Sequence, residues 1–316
     1  MKHVNLGSTG MRICPLVFGT LPLGPLQAGM SAVEGGALIR HALEQGVNCL
    51  DMAALYGTYP HARAALDGFP GRVYLVSKTH AQDARLARIH VEEALRELRV
   101  ERLDLVHLHG ARLADPFVER AEVFAELLRM KDEGKIGHLG LSTHYIRAVY
   151  KAIDHAQVDV IHPLINKAGM GILDGSAQEM AAAIKAASEA GKGIYAMKAL
   201  AGGNLISQAR ESLKYVLGLE GVDALAVGML STQEVDANLK LFGGLVEDAP
   251  IWETLEKRRR KMRIMEQFCK GCGACVPSCA SQALRLQDGK VKLDEERCIL
   301  CGYCGAACPE FIIRVI

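Results

Sequence analysis

Eight of the ten cysteines in this 316-residue chain fall between Cys269 and Cys308, and their spacing repeats. Cys269, Cys272, Cys275 and Cys279 form one C-x2-C-x2-C-x3-C run, and Cys298, Cys301, Cys304 and Cys308 form a second, 29 residues on. Three thiolates two residues apart can wrap one face of an iron-sulfur cubane, while the fourth in each run lies too far round and reaches the other cluster. The spacing therefore assigns Cys269, Cys272, Cys275 and Cys308 to one 4Fe-4S cluster, and Cys298, Cys301, Cys304 and Cys279 to the other. Zinc fits less well, because its tetrahedral sites draw ligand pairs from separated knuckles rather than four cysteines within eleven residues. Disulfides need an oxidising compartment, and the opening MKHVNLGSTGMRICPLVFGT has no secretory pattern. The implied chemistry is one-electron transfer, with metal stapling of a core-poor segment as the plainer alternative.

A second set of reactive side chains lies far upstream: Asp51 and Tyr56 in LDMAALYG, Lys78 in VSKT and His109 in VHLHG. Taken singly, each has an ordinary reading as a helix cap, a loop aromatic, a solvated strand end or a hydrogen-bonded core residue. What links them is position, since all lie at or just past the end of a short apolar run. Eight such runs occur between residue 15 and about 245: PLVFGTL, VNCLDMA, VYLVSKT, LDLVHLH, IGHLGLS, VDVIHPLI, GIYAMKAL and ALAVGML. They are nearly continuous apolar stretches, as in parallel strands buried on both faces. Amphipathic helical patterns separate them, several closed by a capping glycine. Eight strand-helix repeats predict an α/β fold of the (β/α)8 TIM-barrel type, whose chemistry sits at the carboxyl ends of the strands. A doubly wound sheet is the runner-up, but no G-x-G-x-x-G follows the first strand. The opening HVNLGSTGMRI reads as a hairpin ahead of that strand.

Asp, Tyr, Lys and His at three successive strand ends resemble the aldo-keto reductase family, and the likeness runs from residue 1 to about 242 through LGSTGMRICPLVFGT, ERLDLVHLHG, EGKIGHLGLSTH and VGMLSTQEVDANL. The tail from about 264 to 316 resembles the bacterial two-cluster ferredoxin, although Ala280 stands where proline usually follows the fourth cysteine; Pro309 is kept in the second run. The resemblance implies NAD(P)H-dependent reduction of a small-molecule carbonyl, or oxidation of an alcohol. Tyr56 would be the general acid, Lys78 the cation that lowers its pKa, Asp51 the partner of Lys78, and His109 the donor that orients the carbonyl. Gly19, Thr20, Ser142, Gly202, Gly228, Ser231 and Asn238 match or lie in stretches that would hold the cofactor. Thr143, His162, Met197 and Lys198 occupy further such positions, where Thr143 replaces Asn, His162 replaces Gln and Met197 replaces a stacking aromatic. Because no Arg or Lys occurs across Gly228 to Glu234, NADH is favoured over NADPH.

The expected organisation is a barrel over 1–245, a helical linker over 246–265, and a small α+β ferredoxin-like iron-sulfur domain over 266–316. The linker carries KRRRKMR at Lys257 to Arg263, read as a solvated helical face in preference to a docking patch for an acidic redox partner protein. Its 37 basic and 36 acidic residues give the chain no global pull toward nucleic acid or an anionic membrane. No apolar run approaches the ~18 residues of a membrane span, so a cytoplasmic location is expected. Hydride transfer moves two electrons and each cluster one, which leaves two alternatives beside the reductase: a cluster-fed enzyme using flavin or a radical-tolerant substrate, and a non-catalytic electron carrier or redox sensor. The loops GARLADP, NKAGMGILDG and KALAGGNLI are small and Gly-rich, which implies an open pocket or one completed by the cysteine-rich tail.

Overall fold

A computed structural model describes residues 2–245, 249–310 and 312–315. The hairpin opens the chain, with β1 (Val4–Asn5) antiparallel to β2 (Arg12–Ile13). All eight apolar runs become strands of one closed parallel barrel: β3 (Leu16–Gly19), β4 (Cys49–Asp51), β5 (Tyr74–Thr79), β6 (Leu103–Gly110), β7 (Ile136–Thr143), β8 (Val160–Pro163), β9 (Gly193–Met197) and β10 (Ala224–Gly228). Closure comes from β10 pairing with β3 in the register Leu225 to Leu16. Leu6, Met11 and Ile13 of the hairpin segment join Val17, Val76, Leu105, Val160 and Tyr195 in a buried cluster. The hairpin thus plugs the amino-terminal end of the barrel and leaves the carboxyl ends of the strands as the accessible face.

The surrounding helices follow their amphipathic patterns. Those over Ala32–Glu44 and Ala177–Glu189 begin with full capping boxes, Ser31 with Glu34 and Ser176 with Glu179, which satisfy free amide groups of the first turn. The expected linker helix is displaced. A helix spans Ala249–Leu255, with Pro250 in its first turn, and seats Trp252 and Leu255 in the barrel's main core. Lys257 to Lys261 is not helical, and Met262–Ile264 forms β11. Five adjacent cations repel one another along a helix and offer no apolar stripe to hold one. The acidic stretch at 246–248 lies outside the described residues.

The tail is a small α+β unit. Strand β11 pairs antiparallel with the last strand, Ile313–Val315, while β12 (Leu284–Gln287) pairs with β13 (Lys290–Leu293). Cysteines make up much of its buried core, alongside Leu284, Val291, Leu300, Ile312 and Ile313. This unit packs on the barrel's accessible face. Ile299 joins Leu164 and Met197, and Asn204 donates from Nδ2 to the carbonyl of Cys298 at 2.7 Å. Gly202, in the left-handed region at φ +72°, has so little room that a Cβ would fall 1.6 Å from the carbonyl oxygen of Ile299. Gly202→Ala should therefore pry the tail from the barrel mouth, detected as faster release of a cysteine-rich fragment in limited proteolysis; an unchanged cleavage rate would contradict this contact.

Candidate active site

Alternation along β4 and β5 turns Asp51 and Lys78 into the barrel, and the parallel register sets Asp51 beside Val76, two residues before Lys78. The Lys78 ammonium, with its side chain 1% exposed, donates to both carboxylate oxygens of Asp51 at 2.7 Å and to the Met52 carbonyl at 3.0 Å. Tyr56, in the loop after β4, places its hydroxyl 3.4 Å from Lys78 Nζ. Three of the four residues expected from the sequence therefore meet within hydrogen-bonding reach. A residue that sequence reasoning passed over completes the group, since Tyr195 of β9 donates its hydroxyl to Asp51 Oδ1 at 2.9 Å and lies 2.7 Å from His107 Nε2. His162 stacks on the Tyr195 ring at 4.0 Å, with Nδ1 2.6 Å from the Tyr195 carbonyl.

The electrostatics differ from expectation in one respect. Lys78 was expected to make the Tyr56 phenol acidic, yet burial holds it well above its ordinary value, with Tyr303 and Asp51 adding to the effect. The reason is that Asp51 balances the ammonium, and burial pulls Lys78 itself downward despite Asp51. Tyr56 is thus a proton-bearing phenol, the state a general acid needs before it acts. Burial also keeps the imidazoles neutral: His107 and His162 lie well below the usual range, and His109, which retains partial solvent contact, falls to about 3.

His109 is not open to the mouth of the barrel. Tyr303, from the second cysteine run, sets its hydroxyl 3.4 Å from His109 Nε2, meets the imidazole edge-on at 5.7 Å and clusters with Tyr56 and Ala53. Its ring lies 5.5 Å from Lys198 Nζ, so this lysine faces the tail. The pocket is completed by the cysteine-rich unit rather than left open.

From Tyr56 a groove runs outward along the strand ends. Its wall includes Gly19, Asp51, His162, Met197, Lys198, Gly202, Gly228 and Asn238 of the expected residues, together with Cys301. Thr20, Ser142, Thr143 and Ser231 stand off that wall. Thr20 donates to the Asp51 carbonyl, Thr143 Oγ1 accepts from the Tyr145 amide, and Ser231 caps the helix Thr232–Phe242. Ser142, fully buried beside His109 and His162 in the barrel register, has a hydroxyl without a partner. At the far end, Glu234 accepts from the Leu230 amide at 2.6 Å and pairs with Arg258. A cation does stand there, brought from a stretch 24 residues away that the local sequence could not connect to it.

Residues 15–212 match the Aldo/keto reductase family. The chain belongs to that family. Residues 268–312 match a 4Fe-4S dicluster domain, so this aldo/keto reductase carries an iron-sulfur module. It is similar to L-galactose dehydrogenase from Arabidopsis thaliana, at 24% identity over 279 residues that cover 74% of this chain and 86% of the relative. The aldo-keto reductase YhdN from Bacillus subtilis is 29% identical over 185 residues, covering 52% and 54%. Among solved structures, PA4992 from Pseudomonas aeruginosa superposes with TM-score 0.66 at 27% identity over 77% of this chain and 95% of its own. The aldo-keto reductase AKR11C1 from Bacillus halodurans, at 20% identity, 81% and 95% coverage and TM-score 0.63, shares the fold.

Cys269, Cys272, Cys275 and Cys308 line one small cavity. Cys298, raised to about 11 by burial, also feels Cys301 and Cys279, and Cys304 feels all three and, more weakly, Cys275. Among the described residues no three such side chains converge closely enough to hold a single metal ion, whereas thiols spaced around a cavity suit a cluster, whose positive irons would reverse the cost of ionising them. Among the described residues, no helix is long and apolar enough to cross a membrane.

Asp51→Asn leaves the Lys78 ammonium buried without a counter-charge, which should cost about 3 kcal/mol or more of stability. Thermal unfolding followed by circular dichroism checks this, and a variant as stable as the parent would remove the ion pair from its central place.

Proposed function

We propose that this chain reduces a small-molecule carbonyl, or oxidises the corresponding alcohol, at Tyr56, with a nicotinamide dinucleotide in the groove and two 4Fe-4S clusters in the cysteine cradles. The observation that carries the reading is the Asp51–Lys78–Tyr56 constellation opening onto one end of that groove. The partnerless Asn238 Oδ1, on the groove wall at the far end, fits the adenine head of a dinucleotide. When bound, the dinucleotide supplies hydride and the clusters supply single-electron transfer.

The residues do the rest. Tyr56 gives its proton to the reacting oxygen, and the phenolate that remains is stabilised by Lys78 at 3.4 Å. Asp51 holds that ammonium in place, and Tyr195 holds Asp51. Neutral His109 donates to the same oxygen once Tyr303 yields the position beside it. His162 and Met197 form the floor near the nicotinamide, with Gly19, Gly202 and Gly228 in the groove wall beside it. Cys269, Cys272, Cys275 and Cys308 hold one cluster, and Cys279, Cys298, Cys301 and Cys304 the other. NADH is favoured over NADPH because no Arg or Lys occurs across Gly228 to Glu234, and Arg258, the cation brought beside Glu234, is engaged by that carboxylate.

A second reading has a specific observation behind it. Cys301 lines the same groove as Tyr56, which supports electron delivery from the module to a flavin or a radical-tolerant substrate in the mouth. Anaerobic purification with cofactor extraction separates the two, since bound flavin favours this second reading.

Two outcomes test the proposal. Tyr56→Phe keeps the ring and loses the proton, so carbonyl turnover in a steady-state assay should fall by ~10²-fold or more; unchanged turnover would falsify the acid role. Anaerobic reconstitution should load about eight irons and eight acid-labile sulfides per chain, as two cubanes require. Stoichiometric zinc without visible absorbance would overturn the cluster assignment.

A further inference from the structure

The segment between helix Ala249–Leu255 and β11 is neither a solvated helical face nor a detached tether. It runs as an extended arm along the groove, and Arg258 and Arg260 line the groove wall. Their situations differ. Arg258 is spent on Glu234. The partly buried Arg260 donates from Nη2 to Gln27 Oε1 and from Nη1 to the Gly202 carbonyl at 3.4 Å, and both acceptors are neutral. Among the described residues no carboxylate lies within ion-pair distance of it, and the acid that influences it, Glu234, is already engaged by Arg258. A partly buried guanidinium without a counter-charge is unfavourable by itself and has donors to spare, five N–H groups against two bonds.

A second observation, independent of charge, points to a ligand in the same groove. Asn238 is 5% exposed, its Nδ2 is used on the Glu234 carbonyl at 2.8 Å, and its Oδ1 has no partner. An acceptor of this kind suits an exocyclic amine such as that of adenine. Gly202 and Gly203 line the same groove, and Gly203 packs against the Arg260 side chain, so that a Cβ there would fall 3.1 Å from Arg260 Cδ.

We infer that Arg260, reaching in from the arm that leads to the iron-sulfur module, is the anchor for the diphosphate of a dinucleotide lying in this groove. The inference rests on the dinucleotide reading above and adds to it a residue from outside the barrel. An Arg–diphosphate contact is charge-assisted and can be bidentate, a role a lysine fills less well. It also gives the module a part in cofactor binding, because the arm cannot leave the groove without taking Arg260 with it.

The test uses the full cluster-loaded chain under anaerobic conditions, with binding of NADH, ADP-ribose and adenosine read by calorimetry and by quenching of Trp252, which lines the groove. Arg260→Met should weaken NADH and ADP-ribose by about 10- to 100-fold and leave adenosine unchanged, with Arg260→Lys between the two. Retention of the visible cluster spectrum reports that the variants are folded. In the unmodified chain, inorganic pyrophosphate should displace ADP-ribose, a result that needs no variant. ADP-ribose binding equal to the parent's in Arg260→Met, equal loss of adenosine, or failure of pyrophosphate to compete would overturn the anchor while NADH binding to the parent stands. If the parent binds neither NADH nor ADP-ribose, the dinucleotide reading itself fails and the anchor with it.

Discussion

An ammonium buried to 1% exposure has to be answered by a charge, and the pairing of Lys78 with Asp51 does this at the junction of two neighbouring strands. The adjacent parallel strands make the pairing available, because in this register Lys78 stands on the same inward face as Asp51's neighbour Val76, two residues farther toward the mouth. Tyr195 of β9 then holds Asp51 and is itself held by His107 of β6, so four strands are tied to one carboxylate. The same neutralisation sets the chemistry of Tyr56. With the ammonium balanced and water excluded, the phenol keeps its proton, and the site waits as an acid rather than as a preformed phenolate.

Barrel enzymes ordinarily shape their pockets with their own strand-helix loops. Here the wall over His109 comes from residues nearly two hundred positions later in the chain, with Tyr303 on its ring edge and nitrogen. The short glycine-bearing loops after β6, β8 and β9 leave the room that Ile299, Leu300 and Tyr303 occupy, and Gly202 marks the closest approach. Cluster geometry and pocket shape are consequently set by one stretch, since Cys298, Cys301 and Cys304 bracket Ile299, Leu300 and Tyr303.

What the sequence disclosed and what it withheld follow from how far each signal reaches. Parallel strands buried on both faces leave unbroken apolar runs, so all eight barrel strands were legible, as was the opening hairpin with its glycine turn. Strand-end position made Asp51, Lys78 and His109 legible too. Tyr195 and His107 were not, because an aromatic and an imidazole in the middle of an apolar strand look like core, and only tertiary structure shows Tyr195 bonded to Asp51 and His107 to Tyr195. Tyr303 was hidden inside a motif whose cysteines explained its neighbourhood already. The run Lys257 to Lys261 misled for a related reason: charge patterning reports solvation of a helix only when a helix exists, and here repulsion along the run and acceptors in the groove favoured an extended arm.

The placement of Cys301 bears on how the two halves can belong to one enzyme. A hydride donor and a one-electron carrier do not exchange electrons directly, so a mere fusion of the two units would explain nothing about either. In this chain they share a groove wall: Tyr56, Met197 and Gly228 contribute from the barrel and Leu300 and Cys301 from the module. Any molecule that reaches the Tyr56 hydroxyl therefore does so alongside the cysteine run, within a space whose floor and lid belong to different units. Such a pocket cannot open fully without moving the module, and the module cannot shift without altering the surroundings of Tyr56 and His109. The coupling between the halves is then at least steric, through Tyr303 and Ile299, and it exists before any electron is transferred.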